Sequence, residues 1–314
     1  MSSPPEQFAS IDAVADALAG HRYIPDRSLA TTVFLALRLG KPIFLEGEPG
    51  VGKTELAKVL AELLRTDLIR LQCYEGLDTQ SALYEWNYPR QMLEVRLQEA
   101  RGVDRQCIGT NIFSEEFLLE RPLLKAIRGH GQHAAATPVL LIDEVDRSDE
   151  EFEAFLLEIL SDFQITIPEI GPIAAENIPV VVLTSNRTRE LHDALKRRCL
   201  YHWIDYPDVD KETQIVRARV PDIDVLLSSQ LAFFMRRVRN DDLYKNPGIA
   251  ETIDWAQALL SLGAGALDPE TIDATLGCIV KFKADIDRIR AVGVENLLRD
   301  AEEAREFAAA PMTR

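Results

Sequence analysis

Lys53 and Thr54 close a glycine-rich loop, Gly47-Glu48-Pro49-Gly50-Val51-Gly52, in the order G-x-x-x-x-G-K-T. Those residue types at that spacing bind phosphate. Glycines without side chains let backbone N–H groups close around phosphate oxygens, and the N-terminus of a following helix adds the positive end of its dipole. In this chemistry Lys53 reaches the β- and γ-phosphates of a nucleotide and Thr54 ligates Mg²⁺, so that Gly47 through Glu55 are the nucleotide-binding candidates. The loop reads phosphates and is indifferent to the base. Further along, Val139-Leu140-Leu141-Ile142 runs into Asp143 and Glu144. A continuous apolar run ending in acids is what a buried parallel strand needs when its C-terminal edge meets a ligand. There Asp143 holds the Mg²⁺ coordination shell, and Glu144 orients and deprotonates an attacking water. Alone, such a strand end is equally well two solvated acids; the upstream loop is what gives it weight.

Two weaker features follow. The run Ile178 to Leu183 ends in Thr184-Ser185-Asn186, and this asparagine either bonds the attacking water or γ-phosphate or simply starts the next turn. Arg197 and Arg198 stand just before another strand pattern, Leu200 to Ile204. Paired arginines on a soluble surface are usually solvated or salt-bridged, and the residues alone favour that reading.

The elements that position these groups are legible. Ile43-Phe44-Leu45 is a short buried-strand run before the loop, and Leu56, Val59, Leu60, Leu63 and Leu64 recur at helical spacing after it. Ser28 reads as the N-cap of a helix through Leu39, with Gly40 as its stop. Leu68 to Tyr74 alternates like a strand. Arg90 to Ala100 and Ser114 to Gly129 read as helices, the second with Glu115 and Glu116 in its first turn. Ser148-Asp149-Glu150-Glu151 reads as a capping box opening a core helix with Phe152, Phe155, Leu156, Ile159 and Leu160 on one face. Gln164 to Pro168 alternates like an edge strand, and Gly171 at a turn position predicts a hairpin. Beyond Pro207 only helical patterns remain: Lys211 to Val220, Leu226 to Arg239, Ile249 to Leu262, Pro269 to Ile289 and a charged tail. That shift places a domain boundary near Tyr206 to Val209. Met1 to Gly20, prolines followed by a short alanine-rich amphipathic run, is expected to be lightly packed.

The chain has 314 residues, 46% hydrophobic and 27% charged, an ordinary globular composition with room for one large or two modest cores. No apolar run reaches the length of a membrane span and MSSPPEQF lacks the regions of a signal peptide, so the expected location is the cytoplasm. Cys73, Cys107, Cys199 and Cys278 are scattered without a C-x-x-C pair, which suggests neither a disulfide framework nor a cysteine zinc site. A net charge of −16 argues against nucleic acid as the main partner, because phosphate neutralisation dominates such binding. His130 and His133 have metal-sharing spacing but no nearby third ligand, so a structural or exposed role is expected. Tyr84, Trp86 and Tyr88 are expected to pack under a loop, with a partner-binding patch second and base stacking a distant third.

In their order, these motifs resemble those of the AAA+ ATPases. The text of FLEGEPGVGKTELAK, LQCYEGLDTQSALYEWNY, LLIDEVDRSDEEFEAFLLEILSDFQITIPE and LTSNRTRELHDALKRRCLYHWIDYP is similar to the MoxR branch, and within it to CoxD-like members, over about residues 20 to 265. The resemblance implies an αβα P-loop sandwich with a parallel sheet over residues 21–207, after a weakly ordered segment 1–20, and a C-terminal helical lid over 208–314. It makes Lys53 and Thr54 the Walker A residues, Asp143 and Glu144 the Walker B pair, and Asn186 sensor 1. It makes Arg198 the arginine finger, with Arg197 second, acting in a neighbour's site; a ring, usually hexameric, follows. By position Tyr23 and Ile24 would wall the adenine pocket, and the hairpin Gln164 to Ile173 would be the helix-2 insert. The implied activity is ATP hydrolysis with Mg²⁺, used for chaperone-like maturation of a partner metalloenzyme of the molybdenum hydroxylase or carbon monoxide dehydrogenase kind, alongside a protein with a von Willebrand factor A domain. One departure stands out. Lys245-Asn246-Pro247-Gly248-Ile249-Ala250-Glu251-Thr252 lies where relatives carry a sensor 2 arginine, and Lys245 is its only basic residue. A nucleotide-gated scaffold with little turnover, or a nucleic-acid motor, are the other functions open to these motifs.

Overall fold

A computed structural model of the chain describes residues 8–101, 112–129 and 137–309. His130, His133 and Cys107 lie outside them. The described residues form two compact units. Of the described residues the first draws on 8–17, 26–46, 54–101, 112–129 and 137–203, and the second on 18–25, 47–53 and 204–309.

The first unit is built on a parallel five-stranded sheet of β1 (Ile43–Gly47), β2 (Leu68–Gln72), β5 (Val139–Asp143), β8 (Val180–Ser185) and β9 (Leu200–Ile204), in the order β2-β5-β8-β1-β9. β1 and β5 are buried at every position, which is why both read as unbroken apolar runs. β2, at the sheet edge, alternates: Ile69 and Leu71 point inward while Arg70 is exposed. Register aligns the strand ends, pairing Gln72 with Asp143 and Glu46 with Ser185, so the polar residues that finish each strand gather along one edge. Phe44, Leu140, Ile142, Leu183, Phe152 and Leu156 centre the core beneath them.

Several boundaries differ from the sequence expectation, each for a local reason. Asp26, not Ser28, caps the helix Arg27–Leu39, its carboxylate accepting the Leu29 N–H; Gly40 ends it in left-handed conformation as expected. Likewise Asp149, not Ser148, caps Glu150–Asp162, while the Ser148 hydroxyl turns back to the Val145 carbonyl. The stretch Ser114 to Gly129 is not one helix. It splits into a 3₁₀ turn (Glu115–Phe117), a strand β4 (Leu118–Glu120) and a helix Pro122–Arg128, because Pro122 has no N–H to extend a helix behind it and fits the first turn. β4 pairs antiparallel with β3 (Tyr84–Trp86) and brackets a helix Tyr88–Ala100. The segment that interrupts the helical connection between β2 and β5 is therefore Tyr84–Glu120. The hairpin of β6 (Gln164–Ile167) and β7 (Gly171–Ala174) is present, but it lies between the helix Glu150–Asp162 and β8 and is not an insert in the second helix. Trp86 is buried with Tyr84 and Phe113 edge-on against it, the packing role expected, whereas Tyr88 is exposed.

The second unit is helical after Ile204: Val209–Arg219, Val225–Arg239, Ile249–Ser261, Pro269–Ile279, Lys283–Val292 and Val294–Ala309. The pattern Pro269 to Ile289 breaks at Val280–Phe282, where the backbone is extended and Lys281 folds its ammonium onto the Gly277 and Cys278 carbonyls. Trp255 is fully buried against Phe234, its indole N–H donating to Thr275 Oγ1 at 2.8 Å. Ile11–Gly20, expected to be lightly packed, is a helix in which Val14 and Leu18 have no exposure. Among the described residues no helix is long and apolar enough to cross a membrane.

Candidate functional site

The phosphate-type loop connects β1 to the helix Lys53–Leu64, the strand-before and helix-after context the motif requires. Gly50 and Gly52 have φ of 79° and 96°, a region closed to most side chains. A Cβ at Gly47 would stand 2.3 Å from the Ile204 carbonyl oxygen, so that position admits glycine alone. Lys53 is buried, and its ammonium donates to the Gly47 and Glu48 carbonyls at 2.7 Å each. Tyr23 comes within 3.9 Å of the Cβ position of Gly52; Ile24 is half-buried beside it in sequence. The turn before Ile249–Ser261 also meets the loop: Ala250 N–H donates to the Gly50 carbonyl, and a Cβ on Gly248 would sit 2.8 Å from the Pro49 oxygen. Here, in the region where the resemblance leads one to expect an arginine, a glycine allows backbone to touch backbone, and Lys245 is exposed.

In the first unit the expected acids and their neighbours converge. Asp143 is 3% exposed. Its Oδ1 accepts from the Thr54 hydroxyl at 3.0 Å and the Thr184 hydroxyl at 2.5 Å, and its Oδ2 from Arg70 Nη2 at 2.5 Å. Glu144 sits in left-handed conformation, φ 54° and ψ 49°, with its N–H held by Thr184 Oγ1 at 2.9 Å. Such a backbone in a non-glycine residue is sustained only by its surroundings. Its carboxylate accepts from Asn186 Nδ2 at 3.3 Å and Gln72 Nε2 at 3.0 Å, and pairs with Arg147 at 3.2 Å. Asn186 thus faces Glu144 rather than merely opening a turn. The sequence reading missed Arg70, Gln72, Thr184 and Asp146. Asp146, 3% exposed, accepts from the Asn186 N–H and from the N–H and hydroxyl of Thr188. So many acids close together mark the thiol behind them: Cys73 is pushed up to about 12 by burial first and then by the charges of Asp143, Asp146 and Glu144.

Arg197 and Arg198 end the helix Asp193–Arg198, exposed, and neither forms an ion pair or hydrogen bond with any described residue. Among the described residues no contact brings them to the Asp143–Glu144 cluster. Glu55 pairs with Lys58 one turn on.

The family model described as the AAA domain, dynein-related subfamily, matches residues 42–199, half of the chain. The chain belongs to that family. The match begins at β1 and ends after Arg198, so the glycine loop, Asp143, Glu144 and Asn186 all lie inside the AAA domain. An uncharacterised protein of Staphylococcus aureus (strain bovine RF122 / ET3-1) is 27% identical over 234 residues, covering 71% of this chain and 77% of that protein. Another, from Staphylococcus haemolyticus, is 26% identical over 247 residues, covering 76% and 82%. Among solved structures, a putative ATPase of Cytophaga hutchinsonii covers 92% of this chain and 93% of its own at 16% identity and a TM-score of 0.45. The Thermotoga maritima RuvB Holliday junction branch migration motor covers 80% and 66% at 18% identity and a TM-score of 0.43.

Proposed function

We propose that this AAA-domain protein is a Mg²⁺-dependent ATPase of the MoxR type, working in the cytoplasm as a ring. Its sites are completed by a neighbouring copy, and its turnover drives remodelling of a partner protein. One observation carries the reading: the contiguous hydrogen-bonded set Thr54–Asp143, Thr184–Asp143 and Asn186–Glu144 at the C-terminal ends of β5 and β8. Hydrolysis of a phosphoanhydride needs such a set, one pair of hard oxygens for a cation and a separate carboxylate for water.

The residues fit both absent groups. Gly50 and Gly52 hold the positive-φ backbone of a phosphate cradle with no Cβ to obstruct it, and the Thr54 hydroxyl lies against a carboxylate oxygen, the donor chemistry Mg²⁺ prefers. When bound, Mg²⁺ supplies charge neutralisation at the phosphates. Lys53, folded onto loop carbonyls 2.7 Å away, carries the charge that turns toward the β- and γ-oxygens. Glu144 takes the proton from water, and Asn186 fixes that carboxylate's direction through its amide. Arg198, exposed and without a partner among the described residues, is the group available to a second copy; its guanidinium would spread over transition-state charge. Tyr23 and Ile24 are assigned to the adenine side by their place before the loop.

The finer reading rests on resemblance in motif text: a client of the molybdenum hydroxylase or carbon monoxide dehydrogenase kind, a von Willebrand factor A domain partner, and a hexamer. No single residue of the chain encodes those identities. The decisive experiment follows ATP hydrolysis with Mg²⁺ across protein concentration, for the native chain, Arg198→Ala, Glu144→Gln and a mixture of the two variants. Specific activity is expected to rise with concentration, each variant to be inactive, and the mixture to regain part of the turnover. Activity flat with concentration and unharmed by Arg198→Ala would replace the motor with a nucleotide-gated scaffold.

A further inference from the structure

Arg70 has no part in the chemistry described so far, yet it touches its centre. It lies on the edge strand β2 two residues from Gln72, so both side chains leave the same face. Its Nη2 lies 2.5 Å from Asp143 Oδ2 and 2.5 Å from Gln72 Oε1, and the Gln72 amide donates onward to Glu144 Oε2. Asp143 is nearly fully buried, and a buried carboxylate is costly unless a charge opposes it. Thr54 and Thr184 supply hydroxyls only. Among the described residues the guanidinium of Arg70 is the sole full positive charge on Asp143.

The side chain of Arg70 is 53% exposed, so it can leave this carboxylate for water without unpacking the core. A divalent cation at Thr54 and Asp143 would stand close to that guanidinium and repel it. We propose that Arg70 is a built-in counter-ion for Asp143, which neutralises the metal-facing carboxylate in the nucleotide-free protein and is displaced when a divalent cation arrives. The proposal rests on the reading of Thr54 and Asp143 as the metal-facing pair. It has two consequences. Arg70 raises the Mg²⁺ concentration at which the nucleotide binds tightly, keeping the empty site from being charged by metal alone. And because Arg70 also bonds Gln72, its departure releases one end of the amide that holds Glu144, so cation arrival is felt at the water-directing carboxylate. Arg70 is a positioning residue; it acts through Asp143 and Gln72.

The test is binding, not turnover. A non-hydrolysable ATP analogue is titrated by calorimetry into the native chain, Arg70→Gln and Arg70→Lys, in EDTA and at stepped MgCl₂. In EDTA the three are expected to bind alike. The MgCl₂ concentration giving half of the tightening is expected to fall about three- to tenfold in Arg70→Gln, the range for losing a partly solvated charge-assisted bond. Arg70→Lys, which keeps the charge, is expected to stay near the native value. An unchanged or higher Mg²⁺ requirement in Arg70→Gln, with native-like circular dichroism, overturns the counter-ion role and leaves the ATPase reading intact. A native chain whose binding ignores Mg²⁺ overturns the metal-facing pair, and the counter-ion falls with it.

Discussion

Asp146 is the third acid of the sequence that closes β5, and it does something its two predecessors do not. Each of its oxygens receives a backbone N–H from the chain beyond β8: Asn186 at 3.2 Å and Thr188 at 2.8 Å, the second joined by the Thr188 hydroxyl. The amide of Asn186 reaches Glu144 only while this backbone is held. Arg189 adds a second pin, pairing with the buried Glu153 and donating to the Ser148 carbonyl. Asp146→Ala should therefore leave Glu144 present but badly directed. We expect kcat to fall by about 100-fold, the order that small misplacements cost, with little change in KM for ATP. In an Asn186→Ala background the same substitution should cost almost nothing more, since the two residues act as one unit. Steady-state kinetics on the cycle measures this. Fully additive losses would mean that Asp146 acts on something other than Asn186. Asp146 illustrates what the sequence hides. The glycine loop and the Asp143-Glu144 strand end were legible because each is a contiguous string whose chemistry follows from spacing. Asp146, Arg70 and Gln72 owe their roles to partners distant along the chain, and alternation in β2 says only which face is exposed.

At the scale of elements, strands and helices with one buried face announced themselves, and the misreadings fell where neighbouring residues compete for one role. Asp26 and Ser28 both have capping side chains, as do Ser148 and Asp149; which oxygen meets a free N–H is settled by where the chain enters the helix. Ser114 to Gly129 kept a helical composition while Pro122 divided it. In the sequence Arg239 likewise marks only the end of a helix. In the fold its guanidinium makes a two-pronged pair with Glu212 at 2.6 and 2.8 Å, donates to the Pro247 carbonyl at 2.7 Å and lies over the Tyr206 ring. Glu212 is fully buried and also accepts from Thr252. The helices Val209–Arg219, Val225–Arg239 and Ile249–Ser261 are thereby tied at one point. Glu212→Ala would strand a buried guanidinium, and we expect the helical unit to lose about 3–5 kcal/mol, read as a lowered denaturant midpoint by circular dichroism. A shift below about 1 kcal/mol would show that Arg239 finds water instead.

At the scale of the whole molecule, the sequence places the glycine loop in the sheet's chain order, but by contact Gly47–Lys53 belongs with the helical unit. The reason is the turn at Pro247-Gly248. Ala250 N–H bonds the Gly50 carbonyl at 3.2 Å, Gly248 N–H is held by Glu251 Oε2 at 2.9 Å, and any side chain on Gly248 would press on Pro49 and Gly50. Over Lys245–Thr252, where the resemblance leads one to expect an arginine, there is instead a direct backbone join between the glycine loop and the first turn of Ile249–Ser261. We expect movement of the loop on binding phosphate to reach that helix through this backbone contact. Gly248→Ala tests the join without replacing a residue assigned to phosphate. Its Cβ would meet Pro49 O at 2.8 Å and Gly50 Cα at 2.9 Å, too close for atoms that cannot rotate away. Overpacking of this kind costs about 1–3 kcal/mol. If that strain falls on the loop, affinity for a fluorescent nucleotide drops by about tenfold or more while the circular dichroism melt stays close to native. If instead the melt falls and affinity is kept, the helix has yielded and the loop holds its shape unaided. The backbone join would then be a packing contact, and nucleotide sensing by the helical unit would have to run through other residues.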